Sequence, residues 1–315
     1  MKIDVLKLIN NLLYRECSSY IPLGLKGGKL GIAIFGALYS EKVMNASCRK
    51  RATRILNDII GNIELLSDNF LSGKMGFGWG MFFLINKGIL NFDSEMQSLL
   101  NYISRLSSYS LDGHPFQLSL DDCLFSKGIY KLKQRTCYEN ISRYIIDEEL
   151  IVFVDECENL LSCKIEKIYT PEELTLQELN SVLYFLKEIK SRKIFPFKAN
   201  LLIGKIEELY NKQKKKSFVE ESVYQILASK EYNLSFNGKE MFEKLKILGE
   251  LGFYSLIYEE SRIFNVPFYK LIYDEPDIER NILKILKEEP VSLNILCGLG
   301  FGLLNLKELY NEKEQ

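Results

Sequence analysis

Apolar positions recur at helical spacing along almost the whole chain. Between Arg51 and Leu66, the residues Ile55, Ile59, Ile60, Ile63 and Leu66 fall close to i, i+4, i+5, i+8 and i+11, which places one apolar face on a helix. Ser94 to Leu106 and Asn140 to Leu150 carry the same pattern. Thr170-Pro171-Glu172-Glu173 supplies a capping threonine, a first-turn proline and two acids at the positive end of the dipole. It predicts a helix through Leu174 to Lys190. Ser217-Phe218-Val219-Glu220 is a capping box that opens another. Only Ile151–Asp155 and Ile165–Tyr169 read as short strands, the two arms of one hairpin. The expected class is all-α, with roughly a dozen helices of ordinary length.

Gly31–Tyr39 and Met75–Ile85 are the longest apolar stretches, and they are too short and too rich in glycine to span a bilayer. Each follows a glycine-rich lead. Gly28-Lys29-Leu30-Gly31-Ile32-Ala33 precedes Ile34–Tyr39, and Gly73-Lys74-Met75-Gly76-Phe77-Gly78 precedes Trp79–Ile85. Cys297-Gly298-Leu299-Gly300-Phe301-Gly302 reads as a third lead, with cysteine at the first glycine position. Phe125-Ser126-Lys127-Gly128-Ile129-Tyr130 is a fainter copy, and Gly204 and Gly252 mark further ones. Separations of about 45 and about 52 residues fit one helical hairpin per repeat. Glycine inside a helix costs about 1 kcal/mol relative to alanine. Gly73, Gly76 and Gly80 share one helix face, where another backbone can approach closely. Such helices suit an inner layer crowded round a common axis.

At these residues the chain resembles a known family. Gly28-x-x-Gly31-Ile32-Ala33 and the run from Asp68 through Gly73, Gly76 and Gly78 to Trp79-Gly80 look like the opening of lanthionine synthetase C-like proteins. The similarity is closest over Leu23 to Leu90, to short bacterial members found beside peptide-maturation genes, and fainter over 120–135 and 290–306. The resemblance implies an α/α toroid, a double-layered helical barrel, with residues 1–315 as one domain. The family's cyclases add a peptide thiol to a dehydrated serine or threonine. They hold zinc with two cysteines and a histidine, the second cysteine and the histidine adjacent in Cys-His-Gly, and use a further histidine and an aspartate for proton transfer. Zinc is needed because it deprotonates the attacking thiol.

This chain departs from that pattern. It has one histidine, His114, and no Cys-His pair, so the zinc and catalytic sets do not carry over. Cys297 is the remnant metal-ligand candidate. Its six fellow cysteines form no Cys-x-x-Cys, which excludes zinc ribbons and thioredoxin-like motifs. Their odd count, with no leader signal at the start of the sequence, reads as reduced thiols in a cytoplasmic protein. With 41 basic and 42 acidic residues among 315 and a net charge of −1, there is no basic surplus for nucleic acid.

The remaining catalytic candidates are His114 with Asp112, two residues apart in a turn-like stretch and able to work as an acid–base pair. Asp121-Asp122 and Asp155-Glu156-x-Glu158 read as surface acids, since adjacent side chains point apart. Trp79, the only tryptophan, reads as core, and the block Lys212–Lys216 as a solvated helix end. Neither G-x-G-x-G stretch follows a strand, and no phosphate-binding loop is present. The expected function is a non-zinc, non-cyclase accessory that binds a peptide substrate or a peptide-maturation enzyme, with no cofactor, nucleic acid or membrane. A zinc-independent enzyme using His114, or a glycan-active toroid with facing carboxylates, is the alternative.

Overall fold

A computed structural model describes residues 2–17, 20–107, 124–166, 176–212, 241–257 and 278–305. Every regular element among them is helical. In chain order they are α1 (Lys2–Glu16), α2 (Lys29–Val43), α3 (Ala46–Gly61), a short 3-10 turn (Ile63–Leu65), α4 (Lys74–Asn86), α5 (Ser94–Ser107) and α6 (Leu124–Arg135). Then follow α7 (Asn140–Glu166), α8 (Leu176–Ser191), α9 (Pro196–Lys212), α10 (Met241–Ile257), α11 (Ile278–Glu288) and α12 (Leu293–Asn305). They fall into two compact units, Met1–Ile63 with Ser217–Gln315, and Glu64–Lys216.

Within the first unit, α2, α10 and α12 are buried nearly all round. α2 buries every residue from Leu30 to Ala37, and α12 buries every residue from Ile295 to Leu304. The other three helices bury a single stripe: Val5, Leu6, Ile9 and Leu13 on α1, Cys48, Ala52, Leu56 and Ile59 on α3, and Ile282 and Leu286 on α11. α12 packs between α10 and α2, α3 backs α2, and α1 lies against α12 and α11.

The second unit follows the same rule. α4 buries every residue from Lys74 to Leu84, and α6 every residue from Gly128 to Arg135. α8 buries Val182 to Leu186. α6 packs between α4 and α8, with α5 behind α4, α7 behind α6 and α9 behind α8. So in each unit central helices alternate along the chain with amphipathic helices that cover them. The amphipathic stripes follow from i, i+3, i+4 spacing. A helix that is apolar on every side is stable only when surrounded, which is the position α2, α4 and α12 occupy.

Three expectations shift. α3 begins at Ala46 because Asn45 caps it, its side chain accepting from the N–H of Ser47 at 2.9 Å and of Cys48 at 3.2 Å. The segment Ile151–Asp155 is not a strand but the middle of α7; of the second expected strand, Ile165 and Glu166 end the same helix and 167–169 lie outside the described residues. Its β-branched residues are overridden by packing, since Leu150, Phe153, Val154, Cys157 and Leu161 enter one core with Leu186 and Leu202. The helix start at Thr170 and the capping box at Ser217 lie outside the described residues.

Candidate functional site

The two glycine–lysine leads fold alike. Gly28 and Gly73 are the N-caps of α2 and α4, both extended, with φ −122° and −121°. The N–H of Lys29 donates to the Pro22 carbonyl at 2.8 Å, and that of Lys74 to the Ser67 carbonyl at 2.7 Å. Both bonds close a loop of the same length. A methyl group on Gly28 would lie 2.6 Å from the Pro22 oxygen and 2.7 Å from the Gly24 nitrogen. On Gly73 it would lie 2.6 Å from the Asn69 oxygen and 2.7 Å from the Asn69 nitrogen. Glycine is required here because the loop backbone occupies the space of a side chain, not because of an unusual φ.

The lysines that follow are neutralised close by. Lys29 Nζ lies 2.6 Å from Asp58 Oδ2, and Lys74 Nζ lies 3.5 Å from Asp68 Oδ1 and 3.6 Å from Glu64 Oε2. Burial pushes the Lys74 pKa down, but Asp68, Tyr102 and Glu64 outweigh it and raise the value on balance. These loops therefore offer no free cation to an anionic ligand. Trp79 is core as expected, stacked on Phe83 at 5.4 Å and set edge-on to Phe70 at 5.9 Å. Lys133 Nζ of α6 lies 5.0 Å from the Phe83 ring centroid and 5.9 Å from that of Trp79.

α6 carries a buried polar cluster that the sequence reading missed. Lys131, Lys133, Gln134 and Arg135 are all buried. Lys131 Nζ lies 2.7 Å from Glu149 Oε2 and donates to Ser104 Oγ at 3.1 Å. Gln134 Nε2 donates to the same oxygen at 2.9 Å, and Arg135 grips Asp147 with two nitrogens. The available signal was basic residues at 131, 133 and 135: two-residue steps spread round a helix, so they cannot all face water. A serine beside a buried lysine can serve as a nucleophile and base. Burial does lower the Lys131 pKa, with Glu149 opposing it. The carboxylate at 2.7 Å favours the ammonium, and the cluster ties α6 to α7 and α5.

Of the sequence candidates, the structure describes Asp155, Glu158 and Cys297. His114, Asp112, Asp121 and Asp122 lie outside the described residues. Asp155 and Glu158 both hold Lys198, at 2.7 and 2.6 Å, and so link α7 to α9. Cys297 is buried in α12, where burial pushes its thiol pKa up, and its sulfur would lie 3.7 Å from a methyl group on Gly31. Among the described residues no group of three histidines, cysteines, aspartates or glutamates could hold a metal.

The fainter glycine copies also differ from expectation. Gly298 and Gly300 lie inside α12, and Gly128 lies inside α6, not at helix starts. They are packing contacts. Methyl groups on Gly128 and Gly300 would overlap the rings of Phe185 and Phe35, at 2.6 and 2.5 Å. Gly204 is exposed in the middle of α9 with nothing near it, and is no copy. Compared with protein-family models, with curated proteins and with solved structures, the chain matches none.

Proposed function

We propose that the chain is a lanthionine synthetase C-like α/α toroid of a peptide-maturation pathway. It acts in the cytoplasm as a zinc-free accessory that binds a peptide or a partner maturation enzyme. The observation that carries this reading is the duplicated glycine–lysine loop, in which the lysine N–H bonds the carbonyl seven residues back and the carbonyls four and six residues back crowd Gly28 and Gly73 alike. The alternation of surrounded and covering helices in each unit supports a double-layered ring over residues 1–315, with the surrounded helices as its inner layer. Fold alone does not assign chemistry. An unassisted thiol, with a pKa near 8.5, is only a few per cent ionised at neutral pH. One histidine cannot be both metal ligand and acid–base catalyst, which favours binding over the family's cyclase chemistry. The test is calorimetric titration of the full chain with a cysteine-bearing precursor peptide, and separately with a dehydrating maturation enzyme. Saturable binding to one of them is expected. Binding to neither overturns the reading.

A further inference from the structure

We infer that the outer surface of α7 and α9 docks a basic amphipathic helix. It deepens the proposed function, and rests on it only in taking the cargo to be a peptide. α7 buries Ile146, Leu150, Phe153, Cys157 and Leu161 on one side, yet its other side is apolar too. Ile141 is 77% exposed, Tyr144 65%, Ile145 55% and Val152 40%. Their spacing of i, i+3, i+4 and i+11 makes one stripe. α9 adds Phe197, 82% exposed, and Leu201. Val152 and Leu201 each lie about one turn from the Asp155–Lys198 ion pair that joins the two helices, so the stripes adjoin. Apolar side chains exposed side by side on two neighbouring helices differ from the singly scattered apolar residues of an ordinary surface.

Charge selects the occupant. Glu148 sits within the stripe, one turn after Tyr144 and one before Val152, and is exposed. Its contact is the Tyr144 hydroxyl, whose pKa it raises through a hydrogen bond. Neither Glu148 nor Glu156 has a cation partner among the described residues. Arg143, the only basic residue of α7 before Lys164, points about 140° round the helix from Glu148. Gly204 leaves open space on the exposed face of α9 beside Leu201, room for an incoming side chain. An acidic apolar face of this kind is met by a helix with apolar residues at i, i+3 or i+4 and i+7 and a lysine or arginine opposite Glu148.

The probe is a labelled 18-residue peptide of leucine and lysine in amphipathic helical order, titrated by fluorescence anisotropy into the full chain. Saturable binding is expected. Ile145→Glu and Glu148→Lys should each weaken it at least ~10-fold, about 1.4 kcal/mol. Glu95→Lys, the same charge change on the exposed side of α5, should leave it within about twofold. All three positions are exposed, and melting curves confirm that the variants fold. No saturable binding, or equal loss in Glu95→Lys, overturns the surface. Precursor binding without saturable probe binding overturns the surface and leaves the proposed function standing. Probe binding lost only in Ile145→Glu and Glu148→Lys upholds the surface even when no precursor binds.

Discussion

Gly252 of α10 and Gly298 of α12 meet backbone to backbone. A methyl group on Gly252 would overlap the Gly298 carbonyl oxygen and lie 2.6 Å from its carbonyl carbon. One on Gly298 would likewise overlap the Gly249 carbonyl, 2.6 Å from its carbon. Two helix backbones in contact cannot yield as a flexible side chain can. Gly252→Ala and Gly298→Ala should therefore cost about 3 kcal/mol or more, the upper end of overpacking effects. Gly204→Ala, at an exposed helical position with open space, should stabilise by about 0.5–1 kcal/mol. Urea unfolding of the three variants checks both signs.

The two loops make a matched prediction. Gly28→Ala and Gly73→Ala both push a methyl group against the loop carbonyls four and six residues back, so each should destabilise by about 2–3 kcal/mol. Hydrogen exchange should report the damage at Lys29 and Lys74, whose N–H groups close the loops. A large loss at one glycine and none at the other would break the claimed equivalence.

The Lys131–Glu149 pair gives a pH signature. Glu149→Gln strands a buried ammonium and should cost about 2–3 kcal/mol, less than the full buried-pair penalty because Glu149 keeps some water. Lys131→Met combined with Glu149→Leu should recover most of that loss. The folded Lys131 pKa lies below its ordinary value, so the unfolded chain holds that proton more tightly. Stability from this group then rises as pH climbs through the folded pKa toward the ordinary lysine range. Without Glu149 the folded pKa falls further, so the Gln variant should close its gap to the wild type as pH rises. Chemical unfolding between pH 7 and 10 reads that difference.

Cys297 has the opposite sign. Burial raises its folded pKa above 9.0, so its contribution is complete below about pH 9 and declines above it, as the unfolded thiol ionises first. Cys297→Ala should flatten the alkaline loss of stability by about one proton. A thiol reagent added to the native protein should modify the partly exposed Cys17 and Cys137 well before Cys297. Fast native labelling of Cys297 would contradict its burial.

Much of this layout is written in the residues. The surrounded helices α2 and α4 announce themselves as unbroken apolar runs after glycine, and α5 begins where its periodicity begins, at Ser94. α7 was harder because Ile141, Tyr144, Ile145 and Val152 make its outer face apolar as well. The helical period is then blurred and β-branched residues stand out. The cysteine-led glycines from Gly298 to Gly302 look like a helix start in sequence, but they sit where α12 meets α10 and Phe35. The same small residue answers both needs, and only the neighbours tell them apart. The α6 cations were illegible for a related reason: nothing local says that Lys131 and Arg135 find Glu149 and Asp147 on the covering helix.

The binding role proposed above excludes thioether chemistry. Its most direct test is incubation of the purified full chain with a dehydrated, cysteine-bearing precursor peptide, following free-thiol loss against the uncatalysed reaction. The account predicts the uncatalysed rate, unchanged in His114→Ala. Accelerated thiol loss that disappears in His114→Ala or Cys297→Ala would contradict it.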